Sequence, residues 1–173
     1  KINKALVEVF KKKEENLGVR RDALETLGKI GDKETITNLL PALYEEKNPL
    51  IKEKVVDILA NVEGPGSTEY LTERLRDRNS DIRRSALKVL TRKKDRNAVG
   101  LLMTALKDPA WDVRRVAASL LGATGDPKAI NPLIQLLKDR EREVRFSAAL
   151  ALGDLRASQA VEPLVGMLKD QDT

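Results

Sequence analysis

The side chains best equipped for chemistry in this sequence are charged ones, and their spacing points to binding rather than bond-making. Arg84, Lys88 and Arg92 stand at i, i+4 and i+8, so a helix would set them along one outer ridge. Lys93, Lys94 and Arg96 continue that ridge into the following turn. Such a cluster could dock an acidic protein segment or a phosphate backbone, and phosphate binding would be steeply salt-dependent. The plainer reading of the same residues is a solvated helix face.

The usual catalytic groups are missing. The 173 residues include no histidine and no cysteine, which removes the common general base, the commonest metal ligand and every thiolate site. Glu14-Glu15 and Glu45-Glu46 are paired carboxylates in charged stretches, without an apolar setting to shift their acidity. Gly64-Pro65-Gly66 lacks the Lys-Ser/Thr that a phosphate-binding loop requires. No catalysis, cofactor or metal is therefore expected. No apolar run approaches the ~20 residues that span a bilayer, and no signal peptide is evident, so a cytoplasmic protein without membrane attachment is expected.

The composition is 41% hydrophobic but only 3% aromatic. Leu, Val, Ile and Ala supply the apolar content, a mix suited to helices packed on helices rather than to a β-sandwich. The order of those residues is periodic. An aliphatic residue followed by a basic one recurs at Val19-Arg20, Ile51-Lys52, Ile82-Arg83, Val113-Arg114 and Val144-Arg145, every 31 or 32 residues. Counted from each aliphatic anchor, position +4 is Ala23, Val55, Ala86, Ala117 or Ala148. Position +8 is always leucine, at Leu27, Leu59, Leu90, Leu121 and Leu152. Leucine also fills +20 (Leu39, Leu71, Leu102, Leu133, Leu164) and +24 (Leu43, Leu75, Leu106, Leu137, Leu168).

The anchor, +4 and +8 share one helical stripe, and +17, +20, +21 and +24 form a second. Between them lie small residues and turn formers such as Gly125-Asp126-Pro127. Each period thus predicts helix A, a turn, helix B and another turn. Pro132 and Pro163 fall in the first turn of helix B, where a missing N–H costs little. Pro41 lies deeper and is expected to bend its helix. The division is a half unit at 1–18, then units 19–50, 51–81, 82–112, 113–143 and 144–173. Unit two, with its Gly-Pro-Gly turn, departs most from the pattern. Neither end reads as the atypical cap that closes such an array, so a piece of a longer array is expected.

This unit resembles the HEAT repeat, and within it the short HEAT-like class named after phycobilisome lyases. The resemblance is carried most clearly by Asp108-Pro109-Ala110-Trp111-Asp112-Val113-Arg114-Arg115-Val116-Ala117-Ala118. It continues through Leu120-Leu121-Gly122 to Gly125-Asp126-Pro127-Lys128-Ala129-Ile130-Asn131-Pro132-Leu133. The resemblance implies an all-α fold, a right-handed superhelix of antiparallel helix pairs, with the B helices lining its concave side. It also implies a scaffold that binds a protein or peptide there. The outward helix-B positions at +18, +22 and +25 then offer Tyr44, Arg76, Lys107, Gln135, Lys138 and Lys169 as partner-binding residues, with Tyr44 the best anchor.

Three enzyme families share such repeats. Deoxyhypusine hydroxylase binds iron through His-Glu pairs, which a chain without histidine cannot supply. Bilin lyases work with a partner subunit, and no chromophore pocket is marked here, so a subunit of such a complex is an alternative. Alkylpurine DNA glycosylases use Trp, Asp and Arg, and Trp111-Asp112 with Arg114 echo that set. Those residues occupy framework columns, however, and Trp111 reads better as a cap packing on the preceding unit. A nucleic-acid module built on the ridge of unit three is the other alternative. The Arg column itself (Arg20, Arg83, Arg114, Arg145, with Lys52) is expected to pair with carboxylates or carbonyls between units.

Overall fold

A computed structural model describes residues 2–30, 33–62 and 64–169. Its regular structure is helical, and it divides into two compact bodies, residues 1–93 and 94–173. The division falls inside the third period, between its A and B helices.

The first body holds α1 (Ile2–Lys11), α2 (Leu17–Ile30), α3 (Lys33–Tyr44), α4 (Pro49–Leu59), α5 (Pro65–Arg74) and α6 (Ser80–Arg92). The A helices α2, α4 and α6 pack in succession, as do α1, α3 and α5, which are the B helices. The expected half unit is α1, which buries Phe10 against its neighbours. The expected irregularity of unit two is confined to its turn. There Gly64 adopts φ 131° ahead of Pro65, and both helices of the unit form. α3 runs from Lys33 to Tyr44 with Pro41 inside it.

The second body holds α7 (Ala98–Ala105), α8 (Trp111–Thr124), α9 (Ile130–Leu136), α10 (Arg142–Asp154) and α11 (Val161–Lys169). Single 3-10 turns at Pro127–Ala129 and Ser158–Ala160 lead into α9 and α11. Within this body α8 packs closely on α10, α7 on α8 and α9 on α10.

Local chemistry sets these boundaries. Asn48 and Asn79 cap α4 and α6 by accepting the amide hydrogens of Leu50 and Asp81. Helix A ends at position +12 of its period, where Lys94 (φ 53°), Gly125 (φ 70°) and Arg156 (φ 50°) are left-handed. Gly adopts this conformation freely, whereas the two cations do so against their Cβ.

The repeated columns are the core. Every +4 and +8 residue is buried, as are Ile51, Ile82, Val113 and Val144 among the anchors. Val19 is the exception at 46% exposed, because among the described residues no A helix precedes α2 to cover it. The small residues Gly28 and Gly122, nine past their anchors, have a packing reason. A Cβ on Gly122 would meet Ala151 Cα at 2.7 Å, so the backbones of α8 and α10 approach too closely for one. Among the described residues no helix is long and apolar enough to cross a membrane.

Candidate partner-binding surfaces

The basic column one residue after each anchor is structural. Arg114 in α8 reaches back with Nη1 to the carbonyls of Asp108 (2.8 Å) and Pro109 (3.1 Å). It also grips Asp139 with Nε and Nη2, both at 2.8 Å. Asp139 accepts the amide of Glu141 as well, and its own carbonyl receives Arg145 Nη1 at 2.9 Å. Each acid therefore ties its own repeat's cation to the start of the next A helix. In the first body Arg20 pairs with Glu46 and donates to the Phe10 carbonyl. Lys52 pairs with Asp77 at 2.7 Å, while Arg83 donates to the Asp77 and Arg78 carbonyls. This is the expected ladder. Burial opposes ionisation of Glu46, Asp77 and Asp139, but their amide and cation hydrogen bonds prevail, and all three sit below the ordinary carboxylate range.

One residue further round the helix, the ridge is different. Lys88 and Arg92 are exposed, and Arg84 is half-buried and ion-paired with Asp81 one turn earlier. Lys93 departs from the ridge: its Nζ turns inward and donates to the Leu59 and Val62 carbonyls, closing the end of α4. A carbonyl oxygen has two lone pairs, so the last carbonyls of a helix can accept an amine beside their other partners. In the second body Lys94 and Arg96 are exposed.

The outward register predicted for the B helices holds. Arg76 beyond α5, and Lys107, Gln135 and Lys138 in the second body, are all exposed. The side chain of Lys169 lies outside the described residues. Tyr44 is half-buried rather than free, its ring set edge-on to Tyr70 at 5.1 Å between centroids. Tyr70 drew no expectation from its place in the repeat, yet its ring is fully buried and lies under the Arg74 guanidinium at 4.7 Å. Burial pushes its hydroxyl up to about 12. Among the described residues neither the Tyr70 hydroxyl nor Arg74 Nε has a hydrogen-bond partner. Trp111, expected to pack as a cap, is 43% exposed at the start of α8, which its position as the first helical residue permits. Among the described residues no cluster of three or more acidic side chains could hold a metal ion.

No curated protein matches the chain. Solved structures share its fold. The Escherichia coli protein YibA aligns over 98% of this chain and 67% of its own, at 22% identity and TM-score 0.68. The CpcE–CpcF complex of phycocyanin lyase from Nostoc sp. PCC7120 aligns over 93% and 66%, at 19% identity and TM-score 0.63. A designed armadillo repeat protein in complex with the peptide (KR)4 aligns over 96% and 92%, at 18% identity and TM-score 0.60. Helix-pair repeats and this likeness make the fold that of the helical solenoid proteins. The HEAT-repeat pattern matches residues 3–91, 68–153 and 98–173, and on that coverage the chain belongs to the HEAT-repeat family.

Proposed function

We propose that this chain is an interaction scaffold that holds a protein or peptide partner across the outward positions of its B helices and catalyses nothing itself. The observation that carries the reading is a division of labour among charged side chains. The cations and acids of the repeat columns are consumed by the ladder, whereas the side chains of Lys107, Gln135 and Lys138 are exposed and hydrogen-bond to no other described residue. Small neighbours such as Gly100 and Thr104 leave room for a partner backbone to approach. A designed repeat protein of this fold holds a peptide, which supports the same use here.

The competing reading is nucleic-acid binding by Lys88 and Arg92, weakened by the diversion of Lys93 into a helix end. A subunit role in a lyase-like complex draws only on the likeness to CpcE–CpcF. The test pairs two titrations. A peptide selected from a random library should bind the wild type and lose affinity in Lys107→Glu/Lys138→Glu. Random double-stranded DNA should not bind at modest salt. Steeply salt-dependent DNA binding that disappears in Lys88→Glu/Arg92→Glu would replace the scaffold reading with the nucleic-acid one.

A further inference from the structure

The first body contains a second feature, which shares only Arg76 with the outward helix-B residues singled out above. An open cleft of about 560 Å³ lies between the end of the α3–α4 loop, the start of α4 and the segment joining α5 to α6. That volume is in the range of sites that receive small ligands or a few side chains. Five cations line it: Lys47, Lys52, Arg74, Arg76 and Arg78. The acids there are Glu73 and Asp77.

The pairing within the cleft is uneven. Asp77 is saturated, with Lys52 Nζ at 2.7 Å, Arg74 Nη1 at 3.8 Å and the Asn79 amide at 3.0 Å. Glu73 faces Arg74 at 3.5 Å. Among the described residues no hydrogen bond or ion pair engages the side chains of Lys47, Arg76 or Arg78, all exposed. Arg74, fixed between its acids and the Tyr70 ring, keeps a buried Nε without an acceptor. A buried donor left unpaired is costly and uncommon. The inner wall of the cleft is thus held by paired groups, and the charged side chains left unpaired among the described residues are all cations.

We infer that this cleft is a docking site for a carboxylate-rich segment of a partner protein, its acidic side chains received by Lys47, Arg76 and Arg78. The inference rests on the scaffold reading and adds the partner's chemistry. A peptide fits better than a nucleic acid for two reasons. Glu73 and Asp77 stand inside the cleft and would repel a continuous phosphate backbone, whereas a peptide can place its acids selectively. No aromatic side chain lines the cleft for base stacking either, and nearby Tyr70 is buried and Tyr44 half-covered by it.

The test measures fluorescence anisotropy of a labelled hexaglutamate peptide at low salt, with hexalysine, inorganic phosphate and a single-stranded oligonucleotide as counter-probes. Hexaglutamate should bind and hexalysine should not. Lys47→Glu/Arg78→Glu, at two exposed positions off the outward helix-B face, should weaken hexaglutamate binding by about tenfold or more. Lys47→Gln/Arg78→Gln should weaken it less, and circular dichroism should show both variants folded. Lys107→Glu/Lys138→Glu should leave it unchanged. Absence of hexaglutamate binding, equal binding by the reversed variant, tighter binding of the oligonucleotide, or full competition by phosphate alone would each overturn the proposal. Should hexaglutamate bind at the cleft while no library peptide responds to Lys107→Glu/Lys138→Glu, the helix-B reading fails and the cleft stands.

Discussion

Two lines of cations meet on α6, one residue apart: the column repeated from unit to unit that includes Arg83, and the outer column Arg84, Lys88 and Arg92 along that one helix. Arg83, Arg114 and Arg145 donate to the carbonyls of the preceding loop, and Arg114 is further gripped by a carboxylate. Immediately next to Arg83 on α6, Lys88 and Arg92 of the outer column are exposed, while the half-buried Arg84 pairs with Asp81 along the same helix. One step along an α-helix is a rotation of about 100°. That rotation separates a buried arginine held by the carbonyls of the preceding loop from a half-buried one that pairs along its own helix, so residue type reveals little about role until its column is known.

The contrast can be broken at several strengths. The largest effect is expected from Arg114→Ala, which leaves the largely covered Asp139 without its bidentate cation and should cost about 3–5 kcal/mol in chemical denaturation. A loss below about 1 kcal/mol would place Arg114 with the surface cations instead. Next comes Gly122→Ala on the same neighbour-facing side, where the added Cβ meets the α10 backbone and should cost about 1–3 kcal/mol. Gly153 holds the same +9 position with open space around it. Gly153→Ala should therefore stabilise by about 0.5 kcal/mol through helix propensity, opposite in sign to its counterpart.

Acidity sharpens the same contrast. Glu46, Asp77 and Asp139 have folded values below their ordinary ones, so the unfolded chain binds more protons in acid. Their contribution is complete above the ordinary carboxylate range near about 4 and is lost as pH falls through the lower folded values. Thermal midpoints should drop steeply below that range, and Asp139→Asn should be weaker at neutral pH but show a shallower acid limb. The smallest effect belongs to the outer column. Lys88→Ala and Arg92→Ala should each stay within about 0.5 kcal/mol of the parent in the same denaturation experiment.

Most of the fold was legible because the repeat shows each column five times. A leucine at +8 in every unit needs no structure to be read as core. The ladder followed from the same repetition, and the outward register of Lys107, Gln135 and Lys138 followed from the helical period. What the sequence concealed was whatever the repeat does not duplicate. The cleft draws Lys47, Arg76 and Arg78 from two loops, and the unit that supplies most of it has more acids than bases, so no local charge count marks it. Tyr70 occupies a column with no other aromatic residue. The diversion of Lys93 depends on where the end of α4 lies in space. The left-handed conformation of Lys94 and Arg156 had a signal, since Gly31 and Gly125 stand in the same column.

The ladder also bears on how such a chain can change in length. Arg83, Arg114 and Arg145 each find their carbonyls five and six residues behind them, and Lys52 and Arg114 each find their carboxylate 25 residues ahead. These offsets are properties of the repeat, independent of which copy supplies them. Excision of one whole repeat, residues 113–143, would present the Asp108 and Pro109 carbonyls to Arg145 at the spacing they had to Arg114. Duplication of the same block would extend the series without a mismatched joint. Cuts at any other length would strand a buried charge at the seam, so the polar rungs act as a gauge that admits additions and losses of repeats only in whole steps.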